Sequence, residues 1–137
     1  MAEFGLTPEQ ARPNAMVLCY PVITGGVHAH RGSFEHLTGT QDLAVHAQYS
    51  LENMVSAQTP PTFLWHTFDD GSVPLENSLL MASALKRCGV RTEMHVFLNG
   101  GHGLGLCNPL TSTSPHQNVR ECAQWPEMAG RFLHTVL

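Results

Sequence analysis

Three short apolar runs, each closed by a breaker, give the chain its first division. Ala15–Tyr20 is apolar without interruption and stops at Pro21. Phe63-Leu64-Trp65 lies between Pro60-Pro61 and Asp69-Asp70-Gly71. Arg91–Leu98 runs into Asn99-Gly100-Gly101-His102-Gly103. Runs of this length with breakers at their ends predict strands. The lack of alternation in Ala15–Tyr20 suits a parallel strand covered on both faces.

Between the second and third runs the period changes. Leu75, Leu79, Ala82 and Leu85 recur at helical spacing and predict a helix from Pro74 to Cys88 with these four on its apolar face. Pro74 pre-sets φ for its opening. Glu76 in the first turn and Lys86-Arg87 in the last complement its dipole, and Gly89 is placed to end it. Met128, Phe132 and Val136, with Ala129 and Leu133 beside them, predict a second helix over Trp125–Leu137, packed on one side of the sheet. A strand, a helix and a strand in succession predict a parallel pair joined by a right-handed crossover.

The other segments are less regular. Met1–Pro13 reads as a connector with a polar turn at Thr7-Pro8-Glu9-Gln10, capped by Thr7 with Gln10 at the capping-box position. Val22–Gln58 is long for a connection, with partial helix expected over Gln41–Val55. Connections of that length are usually functional insertions. Leu104–Gln124 is rich in Ser, Thr and Pro and reads as a loop.

Composition narrows the class. The 137 residues allow one domain at most; 42% are hydrophobic and 13% charged, as in a globular chain. A net charge of −4 gives no basic face for nucleic acid or an anionic membrane. The four cysteines form no C-x-x-C pair and read as reduced thiols. Met-Ala-Glu-Phe-Gly lacks the basic and apolar regions of a signal peptide, and no apolar run has membrane-spanning length. The chain as given is therefore expected in the cytoplasm.

The chemistry collects just past two of the predicted strands, where open α/β sheets place functional groups. His66-Thr67-Phe68-Asp69-Asp70-Gly71-Ser72-Val73-Pro74 follows the second, and Gly100-Gly101-His102-Gly103 follows the third. This ordered pair resembles the C-terminal half of an α/β-hydrolase. More narrowly it is similar to the acetyl-esterase and xylan-esterase-like branch, related to the prolyl-oligopeptidase-type hydrolases. The resemblance implies an α/β fold with about three parallel strands, flanking helices and a long cap-like connection after the first strand. On it, residues 1–137 form a partial domain. The acid of a Ser–His–Asp mechanism maps onto Asp70, and the base onto His102. Asp69 is left as a turn or surface acid. The implied activity is hydrolysis of small or carbohydrate acetate esters, with no cofactor and no metal.

The same resemblance points to absent parts. No Gly-x-Ser-x-Gly occurs, and Gly32-Ser33-Phe34 is only its nearest fragment. The oxyanion-hole segment has no counterpart either. The isolated chain is thus expected to be inactive unless completed. Ala15–Tyr20 would lack a neighbour, leaving unpaired backbone groups and exposed Val17 and Leu18. The expected partner is the missing N-terminal half, or a second copy of the chain through that strand. The alternative function is a non-catalytic interaction module that binds a partner through the same edge.

Other candidates read as structure. His28, His30 and His36 lie close in sequence, but no Cys, Asp or Glu completes a ligand spacing. His46, His95, His116 and His134 read as surface or partly packed residues, and His66 is expected to pack beneath the acidic turn. Ser33, Ser72 and Ser83 sit on no elbow. Trp65 and Trp125 read as core.

Overall fold

The computed structural model describes residues 5–137, so the first four residues of the connector lie outside the described residues. Three strands, β1 (Met16–Cys19), β2 (Thr62–Thr67) and β3 (Thr92–Phe97), form one parallel sheet in that spatial order. β1 pairs with β2 from Met16 opposite Thr62 to Cys19 opposite Trp65. β2 pairs with β3 from Thr62 opposite Thr92 to Thr67 opposite Phe97. The helices are α1 (Pro8–Ala11), α2 (Arg31–Thr38), α3 (Leu43–Ala47), α4 (Glu76–Arg87) and α5 (Trp125–Val136). Single 3-10 turns occur at Leu51–Asn53 and Pro115–Gln117.

β2 is central, and all six of its residues are buried. Side chains alternate across a sheet, so the strand feeds two separate cores. Phe63 and Trp65 face one side and pack with Leu104, Cys107, Cys122, Ala129 and Phe132. The rings of Trp65 and Trp125 stack with centroids 5.6 Å apart, and those of Phe63 and Phe132 lie 6.0 Å apart. Leu64 faces the other side with Ile23, Met81, Leu85 and Val90. Each such large side chain contributes roughly 1.5–3 kcal/mol by leaving water. The expected face of α5 is the one that packs: Ala129 and Phe132 are buried, with Met128, Leu133 and Val136 against the same core.

Several expectations need correction. The buried face of α4 runs through Asn77, Ser78, Met81, Ala84 and Leu85, whereas Leu79 is 49% exposed. The helix is turned because Asn77 is a buried anchor. Its Oδ1 accepts from Ile23 N and Thr24 N, both at 2.9 Å, and its Nδ2 donates to the carbonyls of His28 and Pro74. The segment after β1 is also more regular than its composition suggests. It holds α2 as well as α3, and α2 is capped unusually by the His30 ring accepting from Ser33 N at 3.3 Å. His46, read as surface or partly packed, is fully buried; it donates from Nε2 to the Thr40 carbonyl at 2.8 Å and lies against Phe34.

β1 is bonded to a strand on one side only, which leaves its other backbone edge without a neighbour among the described residues. Val17 and Leu18 are half-buried rather than exposed, because the helical layers reach them from both faces. The open part of β1 is its backbone, not its side chains.

Candidate active site

Asp70 sits at the end of the turn that leaves β2. Its Oδ1 accepts from Ser72 N and Val73 N, each at 2.9 Å, which closes the turn into α4. Its side chain has no solvent exposure. Burial alone would push this carboxyl up. The Val73 amide, the His102 ring and the Ser72 amide together outweigh burial and hold it below the usual carboxylate range. Asp70 is therefore an anion at neutral pH.

His102 is brought to it from the loop after β3. Its Nδ1 stands 2.8 Å from Asp70 Oδ2. Since the carboxylate can only accept, Nδ1 carries the hydrogen, and the lone pair of the neutral ring is on Nε2. The side chain is 34% exposed, and Nε2 bonds to nothing among the described residues. The arrangement is a buried acid behind a ring whose basic nitrogen faces outward.

The loop reaches this position through its glycines. Gly100, Gly101 and Gly103 have φ of 152°, 70° and 72°. At Gly100 there is also no room: a Cβ would lie 2.8 Å from Leu104 Cδ1 and 2.9 Å from Thr67 Cγ2. Gly101 and Gly103 have open space, so close approach is not their reason; the left-handed backbone is. Two bonds tie the loop to the end of β2. Thr67 Oγ1 donates to the Gly101 carbonyl at 2.7 Å, and Asp69 Oδ1 accepts from Gly101 N at 3.2 Å. Asp69, read as a turn or surface acid, thus also holds the loop that carries His102.

The sequence reading missed Tyr20. It follows β1 with φ of 38°, a conformation that costs a non-glycine residue about 1–3 kcal/mol. Its ring meets His102 edge-on with centroids 4.8 Å apart, and Trp65 at 4.9 Å. Its hydroxyl accepts from Gly105 N at 3.1 Å. A tyrosine at the carboxyl end of a predicted strand was the available signal. His66 does lie beneath the acidic turn as expected, fully buried, with Nε2 3.2 Å from Asp70 Oδ2.

None of the other candidates brings a side chain to this pair. His30 caps α2, and Ser33 shares that cap. Ser72 lends its amide to Asp70, and Ser83 is on the exposed side of α4. Among the described residues, no serine hydroxyl bonds to His102. The cysteines are free; burial is the main cause that pushes Cys107 up to about 11 and Cys122 up to about 12, so neither offers a thiolate.

A parallel sheet that delivers an aspartate and then a histidine past adjacent strand ends defines the C-terminal part of an α/β-hydrolase, the class to which solved structural neighbours also belong. The prolyl oligopeptidase family model matches residues 27–120, and the chain belongs to that family. It is 42% identical over 98 residues to endo-1,4-beta-xylanase B of Butyrivibrio fibrisolvens, covering 71% of this chain and 15% of that protein. It is 32% identical over 107 residues to the acetylxylan esterase of Xylanibacter ruminicola, covering 74% and 22%. Among solved structures it resembles the acetyl ester-xyloside bifunctional hydrolase of Caldicellulosiruptor lactoaceticus. The TM-score is 0.68 at 49% identity, over 87% of this chain and 43% of that one. The chain thus spans less than half the length of each of these relatives.

Proposed function

We propose that this chain supplies the acid–base half of a carboxylic ester hydrolase acting on acetylated carbohydrate. The observation that carries the reading is the 2.8 Å contact between buried Asp70 and part-exposed His102, whose Nε2 is free among the described residues. In the proposed cycle, His102 Nε2 takes the proton of an attacking serine hydroxyl. The oxygen bonds to the ester carbonyl carbon, and Nε2 returns the proton to the departing alcohol. Asp70 fixes the ring tautomer and stabilises the imidazolium while the proton is held. Water then releases acetate by the same route. Acetyl groups on xylose-type sugars are the substrate class that fits the similar proteins, which include an acetylxylan esterase and an acetyl ester-xyloside bifunctional hydrolase.

The serine and the oxyanion donors would come from a segment outside the 137 residues, seated along the free edge of β1. No Gly-x-Ser-x-Gly lies within the sequence, and the buried thiols offer no substitute. The isolated chain is then inactive and gains activity on completion. Self-association through Met16–Cys19 is the competing use of that edge.

The test is hydrolysis of a chromogenic acetate ester by the chain alone and by the chain mixed with the N-terminal half of a similar esterase. The expected result is background alone, activity in the mixture, and loss of that activity with His102→Ala. A folded mixture with no gain would overturn the reading and favour a non-catalytic module.

A further inference from the structure

Among the described residues, His66 is the fully buried titratable group at the site that the proposed cycle does not use. Its ring touches polar groups at both nitrogens. Nδ1 stands 2.8 Å from Ser78 Oγ, and Nε2 stands 3.0 Å from the Val73 carbonyl and 3.2 Å from Asp70 Oδ2. Both oxygens facing Nε2 are acceptors, so a bare Nε2 would set three lone pairs against one another. The hydrogen must lie on Nε2, directed to the Val73 carbonyl with Asp70 Oδ2 alongside. Nδ1 is then bare and accepts from the Ser78 hydroxyl, which can rotate to donate. All three partners are fixed by the turn from β2 into α4 and by the first turn of that helix.

One carboxylate oxygen therefore faces two imidazoles, His102 at 2.8 Å and His66 at 3.2 Å. Both rings cannot be cationic around a single negative charge. We propose that His66 is a positioning residue for Asp70: locked as the neutral Nε2–H tautomer, it holds Oδ2 toward His102 and leaves the carboxylate's charge to that ring. The proposal rests on the reading of Asp70 and His102 as an acid–base pair. Burial is the main cause that keeps His66 below the usual histidine range, partly offset by the Val73 carbonyl and Asp70 and reinforced by the nearby His102. Asp70 and His102 are the titratable groups that face it. The Nε2–H dipole beside Oδ2 stabilises the anion without adding a competing charge.

The experiment uses the chain itself, labelled with 15N in histidine, and needs no activity. From about pH 5.5 to about pH 8 the expected His66 spectrum is that of a bare Nδ1 and a protonated Nε2, unchanged throughout. A protonated Nδ1, or an imidazolium in that range, overturns the proposal. A second arm follows the Asp70 carboxyl carbon. His66→Leu should move its midpoint upward by about one pH unit, since a donor to the anion is gone. His66→Gln, whose amide N–H reaches the place of Nε2, should restore it. A folded Leu variant with an unmoved Asp70 midpoint overturns the proposal, and if that variant fails to fold the wild-type spectrum decides. Failure of the ester assay would remove the hydrolase reading without altering these spectra, so the two are separable.

Discussion

The two halves of the proposed pair are held by different means. Asp70 is over-determined: two amides grip Oδ1, two imidazoles face Oδ2, and the strand that delivers it is buried throughout. His102 depends on a loop whose glycines take backbone angles that other residues rarely adopt, tied down through Thr67, Asp69 and Asp70. The acid inherits its position from the hydrophobic core. The base inherits its position from local backbone conformation. Exposure follows the same division, because an acid that only orients can be buried whereas a base must reach its substrate.

The difference is open to direct attack. Removing core support from the acid side should have the largest effect. Trp65→Ala takes away a ring packed between Tyr20, Phe97 and Trp125, and should cost about 3–5 kcal/mol in urea unfolding. A loss below about 1 kcal/mol would mean that this core does not carry β2. Next comes the loop. Gly100→Ala meets both a forbidden φ and two close side-chain atoms, and should cost about 1–3 kcal/mol and displace His102. Gly101→Ala meets only the φ and should cost about 1 kcal/mol. Equal losses in thermal unfolding would erase the distinction between the two glycines.

A smaller effect is expected from pH. His66 is lowered in the folded state, so the unfolded chain binds its proton first as pH falls. Its contribution to stability is full above the unfolded value of about 6.5 and declines as pH drops below that. Asp70, also lowered and facing both His66 and His102, adds a further decline near and below about pH 4. Urea midpoints should therefore fall from neutral pH towards pH 5, and less so in His66→Gln. A midpoint that rises over this interval would contradict the neutral, buried state of His66. The smallest structural effect belongs to His102→Ala. Truncating this part-exposed side chain removes one hydrogen bond to Asp70, which keeps its two amide donors and His66, and should cost about 0.5–1 kcal/mol, while abolishing hydrolysis by the proposed completed enzyme. A loss of several kcal/mol would make the base part of the scaffold.

Much of this was legible in the chain. β2, β3 and α5 announce themselves through apolar runs and helical spacing; the breakers after two strands mark an aspartate pair and a histidine, and the family resemblance singles out Asp70 and His102 among them. What could not be read depends on contacts distant in sequence. Nothing local marks Asn77 as buried, since its partners Ile23 and Thr24 lie more than fifty residues away. For the same reason the hydrophobic count put Leu79 on the wrong face of α4. α2 was hidden by an uncommon histidine cap and by Gly32 in its first turn. Tyr20 was visible as the end of an apolar run, but its left-handed backbone and its contact with His102 arise only when β1 lies beside β2.

The most direct measurement is the exchange of the His102 ring hydrogen, followed by NMR in the intact 137-residue chain. The expected result is a hydrogen on Nδ1, slowed against exchange with water and lost from view in Asp70→Ala. A His102 ring that exchanges freely in the folded wild-type chain, and is indifferent to Asp70→Ala, would contradict the pairing.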